Sequence, residues 1–400
     1  MSWIKVIGIN IFLIFFIMFI VEFNLGRWSD DDYPNLKYLI LDKTYMDRSS
    51  LGIKPEIITI YPKPNGFRFD KNIDLEKITE CLVITLGGST TQEFILSQDE
   101  TWSQKLQDEL NINNSVMDDS CSGKYLVMNL GMSGHNIADN YWLLRNYIHD
   151  AKLKPVAIVV YQGINDWHIN LNHETKYIPL RKIKNEIVKD LNHRSFIVSS
   201  VRKIVDSFNS VEMSNHPIDN NFNGDGFLFK LKQPQKIAGE FVYEKFNHEL
   251  IENTSKWGGL RYHKNYIQTF VDFVQKFFPE TKLIFITQTK SICDLTEFPN
   301  VVGYIKVSNE KVNIPYSKFG AKEWLLNKGV CLRLGLVKSN YVSFDRKNPK
   351  VKVIDYAGSF VEGWDESYDY YHKTPNGSEL FFNRVRNQLL CAIVGCTSGD

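Results

Sequence analysis

The stretch Val83–Phe94, VITLGGSTTQEF, decides how the chain is read. It begins as an apolar run of the kind that fills a strand covered on both faces. Gly87 and Gly88 then permit a sharp turn and close backbone approach, and Ser89, Thr90, Thr91 and Gln92 lead into a helix-like pattern. In an open parallel sheet, ligands gather beyond the carboxyl ends of the strands. A serine at such an end can offer its hydroxyl and its N–H to one incoming carbonyl. Alone, the same residues also make an ordinary turn or helix cap.

Working outward, four further runs have strand character: Tyr125–Leu130, Val156–Tyr161, Lys282–Thr287 and Val351–Tyr356, beside Cys81–Leu86 itself. Helix-like segments alternate with them at Trp102–Leu110, Ala138–Lys152, Gly259–Phe278 and Ser378–Cys391. Tyr141, Leu144, Tyr147 and Ile148 share one face of the second of these. Alternation of this kind predicts an α/β fold, a doubly wound, parallel five-stranded sheet with helices on both faces.

Two stretches break the rhythm and are read as insertions, at about 171–257 and 291–349. Residues 26–75, rich in Asp, Tyr, Pro and Lys, read as a stalk and small accessory segment, which leaves 76–400 for the main domain. Residues 1–25 read as a transmembrane anchor. The run from Val6 to Val21 is apolar except for Asn10, and no small-residue cleavage pattern follows it. Lys5 precedes the span, whereas Glu22 and Asp30–Asp32 follow it beside Arg27, which favours a main domain outside the cytoplasm.

With 43% hydrophobic residues in 400, the chain can bury a sizeable core. Its net charge of +1 offers no field for nucleic acid as a partner. The six cysteines contain no C-x-x-C, which argues against zinc and thioredoxin-like chemistry. Cys391 and Cys396 can pair only if a helix ends between them. His168, His173 and His193 lie near one another but lack a His-Glu-x-x-His helix, so no metal is expected.

Four turns carry candidate chemistry, each after a different strand. Ser89 follows the first. Gly134, in Asn129-Leu-Gly-Met-Ser-Gly134, follows the second and can present an N–H to an oxyanion. Asn165, in Gly163-Ile-Asn165-Asp166, follows the third and can donate its side-chain amide to developing negative charge. Asp369 and His372, in Asp-Tyr-Tyr-His, follow the fifth; a carboxylate three residues before a histidine can fix its tautomer and support the imidazolium. Each turn alone has a bland reading. Four at one end of one sheet are harder to assign to chance.

With these motifs the sequence resembles the SGNH, or GDSL-type, hydrolase superfamily over roughly 80–170, 280–290 and 350–391. Gly-x-Asn-Asp and Asp-x-x-His are the more specific elements, while Gly88 stands where the family's Gly-Asp-Ser has aspartate. The resemblance implies the flavodoxin-like three-layer α/β/α fold. It also implies Ser89 as nucleophile, His372 and Asp369 as the rest of a triad, and Ser89, Gly134 and Asn165 as the oxyanion hole, with Gly131 as the fallback for Gly134. No cofactor is implied. The expected chemistry is hydrolysis of acyl esters, such as deacetylation of an envelope glycan. The alternatives are O-acyl transfer to a glycan hydroxyl, and a non-catalytic glycan-binding or assembly role on the same fold. An α/β-hydrolase would need a glycine at Thr91. A phosphate loop would need Gly-Lys-Ser/Thr or Gly-x-Gly-x-x-Gly after the first strand, which is absent.

Overall fold

Each of the five apolar runs forms a strand, and all five join one sheet. The computed structural model describes residues 10, 13, 15–16, 18–23, 44–60, 68, 81–117, 124–132, 134–149, 152–166, 197, 227–230, 239–245, 258–307, 328–345, 350–363, 365–367 and 372–395. The chain divides into two compact units. The first holds residues 1–47, 59–66 and 173–231, and within it Thr44–Asp47 pairs in parallel with Phe227–Lys230. The second holds 48–58, 67–172 and 232–400, which include the central sheet.

The second unit contains strands β1 (Cys81–Gly87), β2 (Tyr125–Asn129), β3 (Ala157–Gln162), β4 (Gly239–Lys245), β5 (Lys282–Thr287), β6 (Cys293–Asp294), β7 (Val301–Val307) and β8 (Val351–Ile354). Its helices are α1 (Ser89–Gln92), α2 (Trp102–Met117), α3 (Ile137–Leu143), α4 (Gly258–Phe277), α5 (Lys328–Asp345), α6 (Tyr356–Ser359) and α7 (Pro375–Val394). A π-helical turn over Leu144–His149 continues α3.

The central sheet has the order β8-β5-β3-β1-β2, parallel throughout. The strand order reverses beside β1, so the turns after β1 and β3 open into the crevice where such sheets bind ligands. Alternate residues of each strand serve opposite layers. Val83, Val159, Ile284 and Ile286 pack with Trp102, Leu106, Phe381 and Val385 of α2 and α7. From the other side of β5, Phe285 meets Phe270 of α4 and Tyr341 of α5, with ring centroids 6.1 and 5.0 Å apart. Fully burying a residue such as Phe381 contributes about 2–3 kcal/mol.

β2 is an edge of this sheet, and side chains of α2 satisfy part of its backbone. Asn111 exchanges two hydrogen bonds with Tyr125, and Gln107 accepts from the Val127 N–H at 2.9 Å. An edge covered in this way is a poor template for a foreign strand.

The two stretches expected as insertions join in structure of their own, the first supplying β4 and the second β6, β7 and α5. β4, β7 and β6 form a small antiparallel sheet in that order. It packs with α5 around Ile292, Leu295, Phe298 and Val302, a cluster that also takes in Ile164 after β3. A disulfide, Cys293–Cys331, ties β6 to α5. Cys81 and Cys391 each take part in a further disulfide, and α7 ends at Val394 with Gly395 as its cap, between Cys391 and Cys396.

Among the described residues, no helix is long and apolar enough to cross a membrane. Most of the expected anchor and stalk, and most of the expected insertion at about 171–257, lie outside the described residues.

Candidate active site

Ser89 opens α1, only four residues long, with Gly88 as an extended N-cap. Such a short helix cannot hold itself, and the surrounding strand ends fix it instead. The Thr91 hydroxyl donates to the carbonyl of Tyr161 in β3 at 3.1 Å. Gln288, just past β5, donates its amide to the Thr90 hydroxyl at 2.9 Å. Asn129, at the end of β2, donates to the Thr91 carbonyl at 2.7 Å.

Arg68 bonds carbonyls at and beyond the end of α1, where intrahelical donors run out. Its guanidinium donates to Gln92, Glu93 and Leu96 at 3.0, 2.5 and 2.6 Å. Burial lowers the Arg68 pKa to about 10, which leaves it a cation at neutral pH. Burial also pushes the Glu93 carboxyl up to about 7, against the opposing effects of the Trp102 N–H, Ser378, Lys373 and Arg68.

His372 reaches Ser89 from the far edge of the sheet. Its Nε2 lies 2.8 Å from the Ser89 hydroxyl, with both side chains only partly buried. In the tautomer protonated at Nδ1, Nε2 accepts from the serine, the arrangement a general base needs. The segment around the imidazole is anchored firmly. Lys373, fully buried, forms an ion pair with Glu362, and its ammonium lies 4.9 Å from the centre of the Phe381 ring. Thr374 caps α7 by accepting from the Gly377 N–H at 3.0 Å, and Pro375 follows in the first turn, where its missing N–H costs nothing. Arg384 grips Glu366 through two nitrogens at 2.6 and 2.9 Å.

Asn165 lies against the residue that precedes the nucleophile. A Cβ on Gly88 would stand 2.3 Å from Asn165 Nδ2, so only glycine fits there with the amide in this position. Nδ2 donates to the His135 carbonyl at 3.0 Å. The same nitrogen carries a second hydrogen. Gly134, one residue earlier on that loop, is exposed, with φ +78° and open space where a side chain would stand. The fallback, Gly131, is different: its N–H donates to Asn129 Oδ1 at 2.9 Å. An oxyanion would have to compete for that donor.

The structure thus brings Ser89, His372 and Asn165 to one end of the sheet. Asp369, the third expected triad member, lies outside the described residues, as do His168, His173 and His193. Among the described residues, no group of three or more His, Cys, Asp and Glu could hold a metal ion. The sequence reading missed Gln288, Arg68 and Lys373. Gln288 had a signal, since it follows a core strand as the other site residues do. Arg68 stands outside every periodic segment.

No protein-family model matches the chain, and no curated protein matches it. Forty-six solved chains do match in fold. One is a lipase/acylhydrolase from Enterococcus faecalis, with a TM-score of 0.35 and 11% identity, covering 77% of this chain and 94% of that one. A second is a lipolytic protein of the G-D-S-L family from Desulfitobacterium hafniense, with a TM-score of 0.35, 10% identity and coverage of 77% and 98%. A third is Axe2, an acetylxylan esterase from Geobacillus stearothermophilus, with a TM-score of 0.34, 10% identity and coverage of 80% and 95%. At this level of likeness the chemistry of the chain has to be argued from its own residues.

Proposed function

We propose that the chain is an SGNH-type serine hydrolase that cleaves acyl esters. The observation that carries this reading is the 2.8 Å contact between His372 Nε2 and the Ser89 hydroxyl at the carboxyl end of a parallel sheet. His372 takes the serine proton as Oγ attacks the ester carbonyl, and later returns it to the departing alkoxide. Asp369 supports the imidazolium. The oxyanion is held by the N–H groups of Ser89 and Gly134 and by the Asn165 amide, each such donor contributing about 3–4 kcal/mol in the transition state. Water then releases the acyl group from Ser89.

The substrate proposed is an acetylated envelope glycan, and the chain is proposed to act outside the cytoplasm, held by residues 1–25. The Cys293–Cys331 disulfide supports an oxidising compartment. The O-acyltransferase alternative uses the same residues and differs only in what accepts the acyl group.

The test is hydrolysis of p-nitrophenyl acetate together with labelling by a fluorophosphonate probe. Both should be present in the wild type and lost in Ser89→Ala and His372→Ala. Folded wild-type protein that neither hydrolyses nor labels would favour the binding role. Acetate released from an acetylated glycan without any acceptor separates esterase from transferase.

A further inference from the structure

Asp166 follows Asn165 directly and is fully buried. Its carboxylate joins the two loops that the proposed oxyanion hole needs. Oδ1 accepts from the Ile137 N–H at 2.8 Å, at the start of α3 and three residues after Gly134. Asn165 meanwhile donates to His135 in the same loop at 3.0 Å. Two adjacent residues of one turn are thereby stitched to two residues of the other.

The second carboxylate oxygen faces side chains from helices outside the four motif-bearing turns. The Tyr341 hydroxyl, from α5, donates to Oδ2 at 3.0 Å. Burial, and then the nearby Asp166, hold the Tyr341 pKa well above its ordinary value, so the phenol keeps the proton it donates. His263, from α4 and fully buried, places Nε2 3.3 Å from the same oxygen, in contact but without a well-aligned hydrogen bond. The tautomer follows from its other side. Asn340 Nδ2 donates one hydrogen to the Leu260 carbonyl at 3.2 Å and stands 3.1 Å from His263 Nδ1. Nδ1 is therefore the acceptor, and the neutral ring carries its proton on Nε2, toward Asp166. The His263 and Tyr341 rings meet edge to face at 5.0 Å, which fixes both against the carboxylate.

Ordinary core packing would not need a carboxylate here. A buried charge is costly unless several partners hold it. Here the partners converge on the residue next to an oxyanion donor. We propose that Asp166, clamped by Tyr341 and His263, is the positioning residue that sets the Asn165 amide and the Gly134 loop against Ser89. The role rests on the ester-cleaving reading of this site, and the clamp itself reaches no substrate.

The experiment is a double-mutant cycle on p-nitrophenyl acetate with wild type, Tyr341→Phe, Asn165→Ala and the double variant, alongside a crystal structure of Tyr341→Phe. Losing a well-aimed oxyanion donor costs about 10²–10³ in kcat, so misaiming it should cost about 10-fold. Tyr341→Phe is expected to lower kcat by that factor with KM unchanged, and to cost nothing further once Asn165 is alanine. In the crystal, the Asn165 amide should move beyond hydrogen-bond reach of the His135 carbonyl, about 3.5 Å. Should Tyr341→Phe fail to fold, Asp166→Asn replaces it with the same expectations.

A kcat within 2-fold of wild type, effects that multiply in the double variant, or an unmoved Asn165 would each overturn the proposal. The crystal result needs no activity. A wild type that cleaves no ester while Asn165 moves in the variant would overturn the hydrolase reading and leave the clamp standing.

Discussion

The Nε2 of His372 lies 2.8 Å from the hydroxyl of Ser89, across 283 residues of chain. A gap so long is closed only because β1 and β8 belong to one parallel sheet and release their loops at the same end. If the pair works as one catalytic unit, removing either member should cost nearly as much as removing both. Ser89→Ala and His372→Ala should each lower kcat by at least ~10³-fold, and the double variant should be little worse. Steady-state kinetics on purified variants checks this.

Lys373 and Glu362 form a buried pair directly beside His372. Removing one partner strands the other charge in the core. Lys373→Met should therefore destabilise the fold by about 3–5 kcal/mol, whereas replacing both partners with apolar residues of similar volume should recover most of the loss. Urea unfolding of the single and double variants measures both.

Glu93 gives stability a pH dependence opposite to that of most carboxylates. Its pKa is about 7 in the folded chain against 4.5 for the free side chain, with burial the main cause. Between those values the folded chain keeps a proton that the unfolded chain has lost. Stability from this group therefore falls as pH rises from 4.5 to about 7 and is level on either side, a loss on the order of 3 kcal/mol. Glu93→Gln removes the charge at similar size. Its urea midpoint should exceed the wild type's at pH 8 and approach it at pH 4.5, by an amount the same titration reads.

The Cys293–Cys331 bridge closes a loop 38 residues long, which on chain-entropy grounds stabilises the fold by about 4 kcal/mol. Replacing both cysteines with serine should lower the melting temperature. The loss should fall on the β4-β7-β6 sheet, and hydrogen exchange should show that sheet losing protection before the central one.

The central sheet was legible in the sequence because its strands are covered on both faces. Runs such as Val83–Leu86 and Ala157–Tyr161 are apolar at nearly every position and bear little resemblance to anything else. The small antiparallel sheet was not legible. β4 reads GEFVYEK, polar at both ends, and its partner β7 begins 56 residues after it ends. Nothing local announces that pairing. Ser89 and Asn165 were legible because chemistry-bearing residues follow closely after strands there, and His372, well past β8, was legible through its Asp-x-x-His spacing. The clamp on Asp166 was not, since Tyr341 and His263 sit on helices where their neighbours in sequence give no hint of a carboxylate. Sequence pattern marks what a strand end carries, whereas contacts made across the core depend on packing that no local window holds.

The close approach of Gly88 to Asn165 has a consequence for how this site can change over evolutionary time. A side chain at 88 would displace the end of the Asn165 side chain, so the two positions are coupled. An aspartate at 88 would therefore come with a different placement of the Asn165 amide. Grafting the Gly-Asp-Ser triplet onto this chain would thus move the Asn165 amide as well, and a library at 88 is best varied together with 165.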